Sequence, residues 1–285
     1  MPNRTQAPPL KEILNIPLHE FEQHELDNGM PLYQINKGTQ DIIKLELVFL
    51  AGRWYESQKL TSRTTARQLR EGTKTMTSQS IAEQIDYYGG SLRSSANLDT
   101  SSITLYCMRK HLPNILPIME SVLVEPIFPQ AELDIFKQLQ AQRLKIDMSK
   151  NDIIAYREIT QHFYGTEHPY GYNSSPQLYQ GIALADLKQF HQDFYHAGNC
   201  KLFLSGKTDQ STIQLINKHL GQSMARKEAI QMQHIVDSEK QKKHFTERPG
   251  SVQSAIRIGR RMISKRHPDF PGFYILNTIL GGYFG

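Results

Sequence analysis

The chain of 285 residues lacks most features that mark secreted, metal-binding or membrane-spanning proteins. It has two cysteines, Cys107 and Cys200, which form no Cys-x-x-Cys or Cys/His ligand pattern. Two such thiols are typical of small buried side chains, although a disulfide between them stays open. No apolar run approaches the roughly 18 residues of a membrane helix, and the first twenty residues contain no signal-peptide core. We therefore expect no membrane partner and a cytoplasmic protein, with the periplasm open if the N-terminus is trimmed.

The sequence also lacks the motifs of nucleotide and nucleic-acid binding. Gly281-Gly282 belongs to no GxGxxG or Walker pattern. The net charge of +5 is mild, but the stretch from Arg226 to Arg266 holds eleven Lys/Arg against four Asp/Glu. A basic stretch can mark nucleic acid or an acidic partner. Because no known nucleic-acid motif accompanies these charges, we interpret it as a solvated segment and expect no nucleic-acid partner.

The hydrophobic pattern up to residue 222 predicts an α+β domain. Asn28-Gly29 separates two strand-like runs, which is a strong hairpin signal. The run "DIIKLELVFL" alternates apolar and polar residues, as a half-buried strand does. Two further strands follow in "SLRSSANLDTSSITLYCMRK", then several helices, and the strand "CKLFLSG" returns late. Strands first and helices afterwards predict a largely antiparallel sheet with helices packed on one face. Residues 1–222 are thus a first domain with an N-terminal arm.

The remaining residues have a different pattern. Residues 223–250 are polar and without a period, which is typical of a linker. "SVQSAIRIGRRMI" predicts a new strand, and "DFPGFYILNTILGGYFG" predicts an apolar helix. Residues 251–285 therefore look like the beginning of a second, truncated domain, since so few residues cannot bury a core alone.

Several segments together resemble the pitrilysin/insulinase family of zinc peptidases, which includes the mitochondrial processing peptidases. They are "DNGMPLYQINKG", "FLAGRWYE", "LREGTK", "IAEQIDYYGGSL", "FYGTEHPYGY", "ADLKQFHQDFYHAGNCKLFLSG" and "LNTILGGYFG". Each is weak alone, but their order and spacing match the family from residue 25 to residue 285. The resemblance implies the family's α/β sandwich and the start of a second, similar domain.

The family's zinc site depends on an H-x-x-E-H helix, in which both histidines bind zinc and the glutamate is the general base. Counting back from the Gly-Thr that follows this motif places its three functional residues at Arg63, Ala66 and Arg67. A distal glutamate, the third ligand in the family, falls near Arg143, with Gln142 and Leu144 as the other candidates. A guanidinium has no free lone pair for zinc. The resemblance therefore implies a degenerate motif without catalytic residues, metal ligands or cofactor.

Two interpretations of Arg63 and Arg67 stay open. They form an exposed face, held by Glu56 or Glu71, or they point into the former catalytic cleft and bind a carboxylate through bidentate pairs. No other histidine pair offers a substitute metal site, because none has the i, i+3 or i, i+4 spacing of a helical site. Those pairs are His19/His24, His162/His168 and His191/His196.

The resemblance implies a non-catalytic subunit that pairs with an active zinc peptidase and helps to bind its peptide substrate. Zinc is then expected only in the active partner, and this chain by itself is expected to be inactive, although whether it is an enzyme stays uncertain. Self-association is the other expected partnership. The alternatives are a standalone peptide-binding or scaffold protein and, less favoured, an active peptidase with relocated ligands.

Overall fold

A computed structural model of the chain describes Glu12, Ile16 and residues 18–236 and 243–282. Six strands lie in the first part of the chain: β1 (Glu22–Glu25), β2 (Pro31–Asn36), β3 (Ile42–Phe49), β4 (Ser91–Ala96), β5 (Ser101–Met108) and β6 (Cys200–Gly206). The helices are α1 (Thr61–Gln68), α2 (Ser78–Tyr87), α3 (Leu112–Val124), α4 (Gln130–Asp147), α5 (Asn151–Tyr164), α6 (Pro176–Gln180), α7 (Leu184–Phe194), α8 (Gln210–Ile216) and α9 (Phe270–Gly281). Most of the predicted N-terminal arm lies outside the described residues.

The six strands form one sheet in the order β1-β2-β6-β3-β5-β4. Only β2 and β6 pair in parallel among these strands, and every other neighbouring pair is antiparallel. The late strand β6 thus inserts between β2 and β3, in the middle of the sheet. The prediction of a largely antiparallel α+β sheet is confirmed. β1 and β4 are its two edges.

Alternation along the strands explains why the helices lie on one face. In β3, Ile43, Leu45 and Leu47 are fully buried, whereas Lys44 and Glu46 between them are half-buried and form an ion pair of 2.6 Å. The apolar face packs against helices such as α3, which buries most of its own side chains. Burying this apolar area is the main force that stabilises the domain.

The hairpin between β1 and β2 forms where the sequence predicts it. Gly29 has a φ of +75°, in the left-handed region that glycine adopts at little cost. Its amide donates to the carbonyl of Leu26 at 2.7 Å. The preceding Asn28 ties this turn to the end of the domain by donating to the carbonyls of Leu220 and Met224.

The two cysteines are buried and free. Cys107 lies opposite Ile43 and Cys200 lies opposite Phe49, at the two ends of β3. Six residues of strand span about 20 Å, which is far too long for a disulfide. The open question of a disulfide is therefore resolved, and burial raises the pKa of the Cys107 thiol to about 11.

The tail departs from the prediction. Within the described residues, 251–263 form no strand, although "SVQSAIRIGRRMI" predicts one. A strand needs a neighbour for its backbone hydrogen bonds, and this segment pairs with none of the six described strands. The predicted helix does form, as α9, and almost all of its side chains are exposed.

Within the described ranges, every helix is too short or too polar to cross a bilayer.

Candidate functional site

The helix that carries the degenerate motif begins at an unusual backbone position. Leu60, just before α1, has a φ of +72°, which a leucine rarely adopts. The carboxylate of Glu56 takes up the free amides at this end, accepting from Leu60 at 3.2 Å and from Ser62 at 2.9 Å. Such acceptors satisfy donors that a helix start leaves unpaired. Glu56 therefore holds the start of α1 in place.

Tyr172 joins this cap from a distant loop. Its hydroxyl donates to Glu56 and accepts from the amide of Leu60 at 3.0 Å. The guanidinium of Arg53 lies over the Tyr172 ring, 3.6 Å from the ring centroid, and donates to the Tyr172 carbonyl. Burial raises the pKa of Glu56 to about 7, although its hydrogen bonds and the charge of Arg53 oppose the rise. The start of α1 thus rests on a partly buried carboxyl that titrates near neutral pH.

One side of α1 is closed by the protein core. Ala66 is 1% exposed, and Thr64 and Thr65 beside it are fully buried. The Ser62 hydroxyl donates to the Ala51 carbonyl at 2.7 Å. The position where the family places its general base is therefore a buried methyl group, which can neither accept a proton nor polarise a water molecule.

The other side of α1 faces outward. Arg63 and Arg67 are both exposed, and neither forms an ion pair with any described residue. The exposed-face interpretation is right about their position. Its suggested partners are wrong: Glu56 caps the helix start instead, and Glu71 forms no ion pair with either arginine among the described residues.

The distal ligand positions lie on α4. Gln142 and Arg143 are exposed, whereas Leu144 is 9% exposed and belongs to the apolar core. None of the three carries a carboxylate that could bind a metal ion.

The described residues do not fit zinc. They bring no group of three or more His, Cys, Asp or Glu side chains together in a way that could hold a metal ion. His24 bonds to Gln34 at 2.9 Å and His191 to the carbonyl of Leu123 at 2.8 Å, so each has a structural role. Zinc needs neutral imidazole, thiolate or carboxylate ligands, and α1 offers two guanidinium groups.

Two more arginines lie beside α1, and sequence reasoning missed them. Arg70 donates to the carbonyl of Leu92 in β4 at 2.6 Å. The pKa of Arg70 is lowered, first by burial and then by the positive charges of Arg67 and Arg93. Arg93 is therefore close to Arg70 in space although the two are far apart along the chain. This grouping of arginines is visible only in the folded structure.

The edge strand β4 packs directly against α1. The carbonyl of Leu92 accepts a hydrogen bond from Arg70, so the backbone polar groups of Leu92 point away from β5. Pairs in an antiparallel ladder alternate between bonded and non-bonded, so Ser94 and Ala96 also direct their backbone groups to the open edge. Unpaired groups of this kind are a template for another strand.

Comparison with known protein families identifies the family to which this chain belongs. A family model described as "Insulinase (Peptidase family M16)" matches residues 33–168, and one described as "Peptidase M16 inactive domain" matches residues 181–285. The chain belongs to peptidase family M16. Within this family it lacks the H-x-x-E-H motif, so the resemblance noted in the sequence is confirmed.

Individual M16 relatives agree. The uncharacterised zinc protease YmxG of Bacillus subtilis is 20% identical over 92% of this chain and 64% of the relative. An uncharacterised zinc protease of Rickettsia felis is 22% identical over 68% of this chain and 48% of the relative. The chain thus spans about half to two thirds of the length of these curated relatives.

Solved M16 structures share the fold. The peptidase M16 inactive domain from Pseudomonas fluorescens superposes with a TM-score of 0.72 at 21% identity, covering 76% of this chain and 54% of the other. A protease from Helicobacter pylori gives a TM-score of 0.68 at 18% identity, over 79% of this chain and 55% of the other. At such identities the likeness establishes the fold alone.

Proposed function

We propose that the chain is a non-catalytic M16 subunit that pairs with an active zinc peptidase and helps to bind its peptide substrate. The observation that carries the proposal is α1, which keeps the place of the motif helix in a well-packed domain but has Arg63, Ala66 and Arg67 at the functional positions. A fold that keeps the helix without its chemistry is suited to binding rather than to hydrolysis. The zinc and the general base then come from the partner.

The open edge of β4 supports the peptide-binding part of the proposal. An extended peptide can add to a free sheet edge by main-chain hydrogen bonds. Ser94 and Ala96 offer such groups next to α1, in the place where a peptide would lie along the former motif helix. Binding through the main chain requires little of the peptide sequence.

The exposed side chains of α9 support the pairing part. Ile275, Ile279 and Leu280 are 61%, 69% and 78% exposed. A contiguous apolar surface on a soluble protein commonly marks an interface. We propose that the active subunit, or a second copy of this chain, covers it.

Native purification tests the pairing. We expect the full-length tagged protein, purified gently from its own cells, to bring down a second chain that carries an intact H-x-x-E-H motif, identified by mass spectrometry, together with zinc. Peptidase activity should follow the complex and be absent from this chain alone. Recovery of this chain alone, or of copies of itself only, would instead support a standalone peptide-binding or scaffold protein.

Backbone-modified peptides test the binding mode. A fluorescent decapeptide of neutral Ser, Thr and Val residues should bind the full chain, as measured by anisotropy. N-methylation at alternate residues removes main-chain donors in one register only. We expect one of the two alternate methylation patterns to abolish binding and the other to leave it nearly unchanged, because a strand bonds to an edge through every second residue. Equal loss from both patterns would argue against strand addition.

A further inference from the structure

Four arginines surround the open sheet edge, with Arg63, Arg67 and Arg70 on the side of α1 and Arg93 on the opposite face of β4. We call Arg63, Arg67, Arg70 and Arg93 the arginine patch. The first three follow each other at spacings of four and three on and just beyond α1, which places them on one side of the helix. Arg93 comes from β4, close enough for its charge to act on Arg70.

The patch has little opposite charge within it. Glu71 is the acidic group that acts on Arg70, and the pKa of Glu71 is itself raised by burial and then by Glu132, against the effect of Arg70. Arg63 and Arg67, at the other end, have no ion pair with any residue that the structure describes. Like charges four residues apart on a helix are mildly destabilising. A patch that gathers such charge without neutralising it is suited to an external anion.

The patch lies on both sides of the β4 edge. Leu92 and Ser94 turn their side chains to the buried face, on which α1 packs, and Arg93 between them points to the opposite face. A strand added to this edge would present alternate side chains to the two faces. Its residues on one face would approach Arg63 and Arg67, and its residues on the other face would approach Arg93.

We propose that the arginine patch binds the carboxylates of an acidic, extended peptide segment that lies along the β4 edge. This inference rests on the proposed function and specifies its substrate class. Guanidinium groups bind carboxylates through two parallel hydrogen bonds, which fix direction as well as charge. The positions that hold zinc ligands in active members of the family would here hold the side chains of the substrate. A peptide, rather than a nucleic acid, fits because the adjacent partner surface is an unpaired strand.

Matched peptides test the inference on the full-length chain. Three fluorescent decapeptides share a Ser/Thr/Val framework and differ at four positions, which carry Asp, Asn or Lys. We expect the Asp peptide to bind about tenfold or more tightly than the Asn peptide at low salt, and the Lys peptide to bind weakest. The advantage of the Asp peptide should shrink as salt increases, because exposed charges are screened.

Paired variants locate the effect. Arg63→Gln with Arg67→Gln should remove most of the advantage of the Asp peptide and leave binding of the Asn peptide unchanged. Arg63→Lys with Arg67→Lys should keep only part of it, since an ammonium group lacks the planar fork. The control Lys188→Gln with Lys218→Gln removes the same charge from exposed positions elsewhere and should have no effect. Arg63 and Arg67 are both exposed, so these substitutions should not disturb folding. Thermal melting of each variant checks this.

The outcomes separate the inference from the proposed function. Equal binding of the Asp and Asn peptides would overturn the inference and leave the proposed function intact. Binding of none of the three peptides would count against both peptide binding and the patch. Tighter binding of a single-stranded DNA oligonucleotide than of the Asp peptide, lost in the Arg63/Arg67 glutamine variant, would overturn the inference in favour of a nucleic-acid site.

Discussion

Strand β3 and the segment 251–263 share an alternation of apolar and polar residues, but only β3 forms a strand. In β3, Ile43 and Leu45 alternate with polar residues and are completely buried. In the tail, Ile256 and Ile258 flank Arg257 in the same alternation, yet they are 80% and 93% exposed and form no strand. β3 has β5 and β6 on its two sides, whereas the tail segment has no strand beside it among the described residues. An alternating pattern thus specifies a strand only where partners supply the hydrogen bonds and the cover.

Core truncation should show the largest difference between the two regions. Leu45→Ala removes buried methyl groups from β3 and should lower the free energy of unfolding by about 2–5 kcal/mol. Leu280→Ala, the matched change on α9, should alter it by less than about 0.5 kcal/mol. Urea unfolding of both variants measures the difference. Similar losses would mean that α9 is buried in the protein in solution.

The partly buried carboxyl at the start of α1 should give a pH-dependent effect that the tail lacks. The pKa of Glu56 is raised from 4.5 to about 7 in the folded protein. Its contribution is therefore most favourable below pH 4.5 and is lost as pH rises from about 4.5 to 7. Glu56→Gln should remove this loss, so that the variant gains roughly 1–3 kcal/mol relative to wild type between pH 5 and pH 7.5.

Urea unfolding of wild type and variant at several pH values measures that difference. Glu228→Gln, at an exposed position, serves as the control and should follow the wild-type curve. A constant offset between wild type and Glu56→Gln across this range would contradict the raised pKa.

The exposed face of α9 should affect association and leave folding unchanged. Because Ile279 and Leu280 offer apolar area to water, we expect the isolated chain to self-associate as its concentration rises. Ile279→Lys with Leu280→Lys should abolish this, whereas Ile135→Lys, at an exposed apolar position on α4, should not. Light scattering gives the mass. A monomeric wild type with a tail protected from hydrogen exchange would mean that the first domain covers α9.

The sequence predicted the regular part of the fold because its signals are local. The Asn28-Gly29 turn and the alternation in β3 specify their own geometry, and the structure confirms both. The degenerate positions Arg63, Ala66 and Arg67 follow from the family resemblance together with the spacing to Gly72-Thr73. What the sequence did not reveal depends on distant contacts.

Glu56 caps α1 with help from Tyr172, and Arg93 reaches Arg70 only through the pairing of the sheet. The segment "RWYE" supports the family resemblance, but it does not show that the carboxylate of Glu56 caps α1 instead of pairing with Arg63 or Arg67. The predicted strand in residues 251–263 was wrong for the same reason, since no local sequence pattern shows whether a partner strand is present.

Restoring the motif should not restore activity. Arg63→His with Ala66→Glu and Arg67→His supplies the two helix ligands and the base, but Leu144 and its neighbours still offer no third ligand. Ala66 is also buried, so the new carboxylate would need space that the core does not provide. A peptidase assay with added zinc should remain blank. Activity in this variant would show that a ligand from elsewhere completes the site.

Metal analysis of the purified wild-type chain tests the central claim most directly. After dialysis against metal-free buffer and back-titration with zinc, the account predicts no stoichiometric binding, because the arginines on α1 and the residues near Arg143 form no ligand set. Binding of one zinc per chain with micromolar or tighter affinity, lost in a variant of α1, would contradict it.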